Sequence, residues 1–126
     1  MIKLIDFGLA TIYDPSNKPT QKCGTMVTVA PEIFKQANYD QKVDCWALGV
    51  ILFELLSNDL PFFDKDAKKF REQIVNKKLD LDKYPALRNV SKEGKDLIRQ
   101  LLQKDPKKRI TSDQALKHPW FGDLKM

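Results

Sequence analysis

The sequence is poor in the residues that staple or metallate small proteins. It carries two cysteines, Cys23 and Cys45, and one histidine, His118, in 126 residues. These share no metal-ligand spacing and nothing at the N-terminus reads as a secretory signal, which argues against a disulfide framework and against a structural metal. A reducing, intracellular setting is the expectation, cytoplasmic with the nucleus left open. No apolar run approaches the about 20 residues that cross a membrane. Internal repeats and low-complexity segments are also missing. The net charge of +5, from 22 Lys and Arg against 17 Asp and Glu, is spread along helical faces and not gathered into one run. Without aromatic residues interleaved among the basic ones, that charge describes a solvated surface rather than a nucleic-acid patch.

What is present is globular composition, 42% hydrophobic with 31% charged, in a length that suits one small domain or a piece of a larger one. The chain is organised around Asp44 to Leu56, DCWALGVILFELL, in which nine of thirteen residues are apolar and cover every face of a helical turn. A helix apolar all round is expected to be buried on all sides, either as the central post of a helical domain or as an ordinary core helix. Inside it, Asp44, Trp46 and Gly49 form D-x-W-x-x-G. The glycine costs about 1 kcal/mol relative to alanine. A carboxylate buried there would need donors to satisfy it.

In chain order, Met1 to Ile5 reads as a short strand running into a turn at Asp6-Phe7-Gly8. From Leu9 to Val29 the pattern has no period and is broken by Asp14-Pro15 and Lys18-Pro19, which predicts a loop of about twenty residues, long enough to be functional. Ala30-Pro31-Glu32 opens a short helix, since proline suits a first helical turn. After the central helix, which should stop near Ser57-Asn58, residues 66–76 place Ala67, Phe70, Ile74 and Val75 on one helical face. Ser91 can cap a helix carrying Leu97, Ile98, Leu101 and Leu102. Thr111 and Gln114 have capping-box spacing ahead of a last helix.

Six landmarks then fall in one order: D-F-G at Asp6 to Gly8, G-T at Gly24 and Thr25, A-P-E at Ala30 to Glu32, D-x-W-x-x-G at Asp44 to Gly49, Arg109, and H-P-W-F at residues 118–121. Together they resemble the protein kinases. The run SKEGKDLIRQLLQKDPKKRIT is most similar to the calcium/calmodulin-dependent and calcium-dependent group, which phosphorylate serine and threonine. The resemblance implies a mainly α fold, the C-terminal large lobe of a kinase, with a short residual strand before D-F-G. It divides the chain into strand and activation segment (1–32), helical core (33–121) and tail (122–126). The glycine-rich loop, the strand lysine, its partner glutamate and the catalytic loop of a kinase are not in this sequence, so a partial kinase domain is expected, inactive alone. The rival reading is a non-catalytic interaction module built from the same lobe.

The roles below are those the resemblance implies. Asp6 would hold the magnesium that accompanies ATP, with Phe7 packing under the site and Gly8 letting the backbone turn. Leu9 to Glu32 would be the activation segment, whose order switches the enzyme. Gln21 stands three residues before Gly24, where many relatives carry a phosphorylated residue. Gly24 and Thr25 would meet the substrate, Thr25 beside the catalytic aspartate. Thr28 replaces a usual aromatic, which puts peptide selectivity in doubt. Glu32 and Arg109 would pair, and Asp44 would accept from the catalytic loop's backbone, with Trp46 and Gly49 structural. Glu54 is either a partner for a substrate arginine or an exposed helix glutamate. Cys23 is read as an inert thiol and His118 as a structural corner. Expected partners are protein substrates, the missing N-lobe and catalytic-loop segment, and a calcium-sensing region outside this chain, with neither nucleic acid nor membrane.

Overall fold

The apolar stretch lies within α2 (Lys42–Ser57) of the computed structural model, which describes residues 2–21, 26–35 and 38–122. Before it stands the short α1 (Pro31–Lys35); after it follow α3 (Ala67–Asn76), α4 (Lys92–Leu101) and α5 (Ser112–Leu116). Short 3-10 turns occupy Met26–Thr28, Leu81–Lys83, Pro85–Asn89 and Pro119–Phe121. The helix ends follow local chemistry. Asn58, in the left-handed region at φ 55, closes α2 by donating its N–H to the Glu54 carbonyl. Asp66 accepts from the N–H groups of Lys68 and Lys69 at the start of α3, and Ser91 accepts from Gly94 at the start of α4. Thr111 and Gln114 form the expected capping box.

The core gathers around one side of α2. Trp46, Val50 and Phe53 pack with Phe62, Phe70, Ile74, Leu81, Leu87 and Ile98. Trp46 stacks on Phe62 with ring centroids 5.7 Å apart, and Phe53 meets Tyr84 edge-on at 4.8 Å. Leu97, Ile98 and Leu101 on α4, with Leu102 at its C-cap, are buried as the spacing predicted. The reason for Gly49 is here. A Cβ at that position would lie 2.8 Å from Leu101 Cβ and 2.9 Å from Leu102 Cδ2, so the Gly49 backbone packs directly against these leucines where α2 meets the end of α4. Gly49→Ala should therefore lose about 1–3 kcal/mol by overpacking, more than the about 1 kcal/mol of helix propensity it gains. Urea melts check this, and a stabilised variant would show that the crossing has room.

Three expectations need correcting. Residues 2–5 form no strand: they are exposed, and among the described residues no second extended segment offers the ladder that stabilises one. Nor is α2 buried on all sides. Leu48, Ile51 and Leu55 are 51%, 45% and 78% exposed, because the surrounding described elements cover only the side that carries Cys45, Trp46, Gly49, Val50 and Phe53. Ala67 also stays exposed at the first turn of α3, while Phe70 and Ile74 anchor that helix. The mainly helical lobe otherwise stands as expected.

Candidate functional site

Arg109 is the most fully used side chain in the molecule. Its Nη1 and Nη2 donate to Glu32 Oε1 and Oε2 at 2.6 and 2.8 Å, a bidentate pair in which the residues are 1% and 2% exposed. Nε donates to the Gln103 carbonyl and Nη1 also to the Lys42 carbonyl, both at 2.9 Å, so at least four of the five N–H groups have partners. Its guanidinium lies 5.2 Å from the centre of the Trp46 ring. One residue thus joins α1, the start of α2 and the turn before α5. Lys42 reinforces the joint by donating from Nζ to the Pro106 carbonyl at 2.8 Å. The pair expected from the sequence is therefore present, with Trp46 as its platform.

Asp6 sits in an exposed turn with φ 62, a conformation aspartate tolerates better than most residues. Its Oδ1 accepts from the Gly8 N–H at 3.3 Å, and the Ala10 N–H donates to the Phe7 carbonyl at 3.0 Å. Phe7 packs under nothing here: it is 70% exposed because no described element covers that edge. Gly24, Thr25 and Cys23 lie outside the described residues. Asp44 is exposed rather than buried, since it points along the open side of α2 and keeps its hydration. It lines, with Leu9, Tyr13, Tyr39, Val43 and Ala47, a cavity of ≈ 320 Å³ between the loop and the start of α2. Glu54 is exposed on the far turn of the same helix.

Two residues escaped sequence reading. Lys104 reaches from the turn after α4 to the C-terminus of α3, donating to the carbonyls of Gln73 at 3.3 Å and of Ile74, with its Nζ 4.2 Å from the Phe62 ring centre. Burial first, then Lys35 and Lys77, bring its pKa down to about 8. The neutral amine keeps two donors for the two carbonyls, so the contact survives deprotonation. Gly94 is the second: a Cβ there would lie 2.8 Å from Trp120 Nε1. A lysine inside a basic run and a glycine in a helix carry no signal in sequence that tells them from surface residues. His118 is the corner it was expected to be. Its Nδ1 accepts from the Trp120 N–H at 3.2 Å, which leaves Nε2 to donate to Asp96 Oδ2 at 3.1 Å, and that bond holds the Asp96 carboxyl below its usual range.

Lys104 yields a pH prediction. Its proton leaves the folded state near pH 8 and the unfolded state near 10.5, so the unfolded chain binds more protons in between. Stability due to this group should rise with pH from about 8 to about 10.5 and then level off, by about 1–2 kcal/mol once its half-exposure is allowed for. Burial raises the pKa of Cys45 and Tyr84 from 9.0 and 10.0, which works in the opposite direction at high pH. The measurement is therefore the difference in urea midpoint between wild type and Lys104→Met at pH 7.5 and 9. Parallel midpoints would sink the prediction.

The buried tether between A-P-E and Arg109 places the molecule in the class of kinase-like helical lobes. Residues 1–121 match the family described as Protein kinase domain, and the chain belongs to that family. It is 42% identical over 125 residues to "Calcium-dependent protein kinase 29" of Arabidopsis thaliana, covering 99% of this chain and 23% of that one. It is 41% identical over 119 residues to "Calcium-dependent protein kinase 11" of Oryza sativa subsp. japonica, covering 94% and 20%. To "Calcium-dependent protein kinase 13" of Arabidopsis thaliana it is 37% identical over 124 residues, covering 98% and 23%. The similarity within the family thus lies with the calcium-dependent protein kinase group. The chain spans less than a quarter of the length of each of these three relatives.

Proposed function

We propose that this chain serves as the C-terminal lobe of a serine/threonine protein kinase that moves the γ-phosphate of ATP to a protein hydroxyl. The observation that carries this is the buried Glu32–Arg109 pair, which fixes the end of the activation segment to the helical body. Asp6 would hold magnesium. A single hydrated carboxylate suits that ion, which keeps several waters and takes other oxygens from phosphates. Among the described residues no group of three His, Cys, Asp or Glu forms a closed metal cage. Magnesium, when bound, offsets charge developing on the phosphate oxygens. Gly8 lets the chain turn beside Asp6, and Thr25 would guide the substrate hydroxyl. The exposed Asp44 and the adjoining cavity would receive the catalytic-loop segment, which must come from residues outside this sequence.

Asp6→Asn in the protein made from its full reading frame should lower peptide phosphorylation by more than about 100-fold while leaving its melting unchanged. Retained activity would overturn the assignment. The exposed Leu48, Ile51 and Leu55 favour a second reading, a module that binds partners through this face without catalysis. Absence of transfer by the wild-type protein with magnesium-ATP would favour that reading. A calcium-sensing region elsewhere, protein substrates, an intracellular location and the lack of nucleic-acid and membrane partners belong to the same proposal; no described helix is long and apolar enough to cross a membrane. Glu54, exposed and free to turn toward a peptide, would select a substrate arginine. Peptide arrays on the active kinase should show arginine preference falling about tenfold in Glu54→Gln, and an unchanged preference would return Glu54 to an ordinary surface residue.

A further inference from the structure

Residues 2–21 hold little of their own. Every one of them is exposed except Tyr13 and Pro19, which are half-buried. Two short turns, at Asp6–Ala10 and Asp14–Asn17, are local and fix no position relative to the helices. Two hydrogen bonds tie the segment to the helical body at Tyr39, just ahead of α2, beside the cavity that Leu9 and Tyr13 line. The Tyr39 hydroxyl donates to the Gln21 carbonyl at 2.6 Å, and the Tyr39 N–H donates to the Pro19 carbonyl at 3.2 Å. The two carbonyls lie two residues apart, so a single tyrosine grips the chain from both its ends. Pro19 and Tyr39 line the same cavity, and both residues are half-buried.

We infer that Tyr39 is a positioning residue that sets the activation segment, holding it through main-chain carbonyls. The place it holds is Gln21, three residues before Gly24, a side chain that cannot carry a phosphate. A segment of this kind needs some fixed point if the residues after it are to meet a substrate in one geometry. A phosphate would supply that point by charge; here a phenol supplies it by donating to a carbonyl, so the hold needs no modification. The side-chain half of the grip depends on the single hydroxyl proton. Any change that makes the Tyr39 oxygen an acceptor only, such as esterification by phosphate, would set negative charge against the Gln21 carbonyl and open the side-chain half of the clamp.

This inference rests on the kinase reading for its consequence but not for its test. Tyr39→Phe keeps the ring and its packing and removes only the donor; Tyr39→Leu removes both. In the full-reading-frame protein, hydrogen exchange of the residue-39 amide, the N–H with which the clamp holds the Pro19 carbonyl, should rise about fivefold in Tyr39→Phe, the effect of one lost neighbouring hydrogen bond, with the thermal midpoint unchanged. Where the wild type phosphorylates a peptide, the same variant should lower kcat while leaving the KM for ATP alone. Unchanged exchange in Tyr39→Phe with a rise only in Tyr39→Leu would mean that the ring merely packs, and would overturn the inference. Increased exchange in Tyr39→Phe, in a protein that transfers no phosphate even as wild type, would leave the clamp standing and remove the kinase reading instead.

Discussion

Arg109→Ala should cost about 3–5 kcal/mol, the loss expected when one partner of a buried pair leaves the other charge unpaired. Glu32, 2% exposed, would keep its carboxylate with neither of its guanidinium donors. The Gln103 and Lys42 carbonyls would lose the N–H groups of Arg109 as well, and the Trp46 ring its guanidinium. Since a domain's net stability is about 5–15 kcal/mol, this one change removes about a fifth of it or more. Arg109→Lys should recover only part, because an ammonium cannot reproduce the fork on both oxygens. Equilibrium urea unfolding of the three proteins decides the matter. A loss under about 1 kcal/mol for Arg109→Ala would put the pair in the range of surface ion pairs and make the tether dispensable.

The second large effect concerns the open side of α2. Leu48, Ile51 and Leu55 follow one another at helical spacing and present a continuous apolar stripe with Asp44 at its head. Full cover of such side chains is worth about 2 kcal/mol each, so their partial exposure withholds about 3–4 kcal/mol from the fold. The 126-residue chain alone should consequently be marginal and prone to self-association. Replacing Leu48, Ile51 and Leu55 by Gln should raise its monomeric fraction about tenfold, as read by size-exclusion chromatography and light scattering. The same replacement should lower the melting temperature of any longer protein in which another segment covers the stripe. A wild-type chain that is monomeric and melts sharply at high concentration would contradict both expectations.

Much of the architecture was written locally. The caps at Ser91 and Thr111, the stop at Asn58 and the buried faces of α3 and α4 follow from residues a few positions apart, because helix ends and periodicities are short-range properties. The family, too, was legible, since its landmarks are short motifs whose order survives in one dimension. The pairing of Glu32 with Arg109 came from that order, not from any local signal. Their contact, its bidentate geometry and its burial depended on α1 and the turn before α5 meeting across α2.

The errors have a common origin. Asp44 and the stripe of Leu48, Ile51 and Leu55 looked buried because composition states that a helix is apolar all round; whether each face finds a neighbour is decided by which elements pack against it. The strand expected before Asp6 failed for the same reason, as a ladder requires a second segment. Gly49, which composition could only rate as a weakness, became the contact point of α2 and α4. Lys104 acquired its lowered pKa from burial and from Lys35 and Lys77, and Tyr39 its grip from Pro19 and Gln21, all groups distant in sequence. Sequence determined the helices, their ends and the family they serve. Burial, charge and the hold on the activation segment were decided by the tertiary structure, because each is a property of two or more segments brought together.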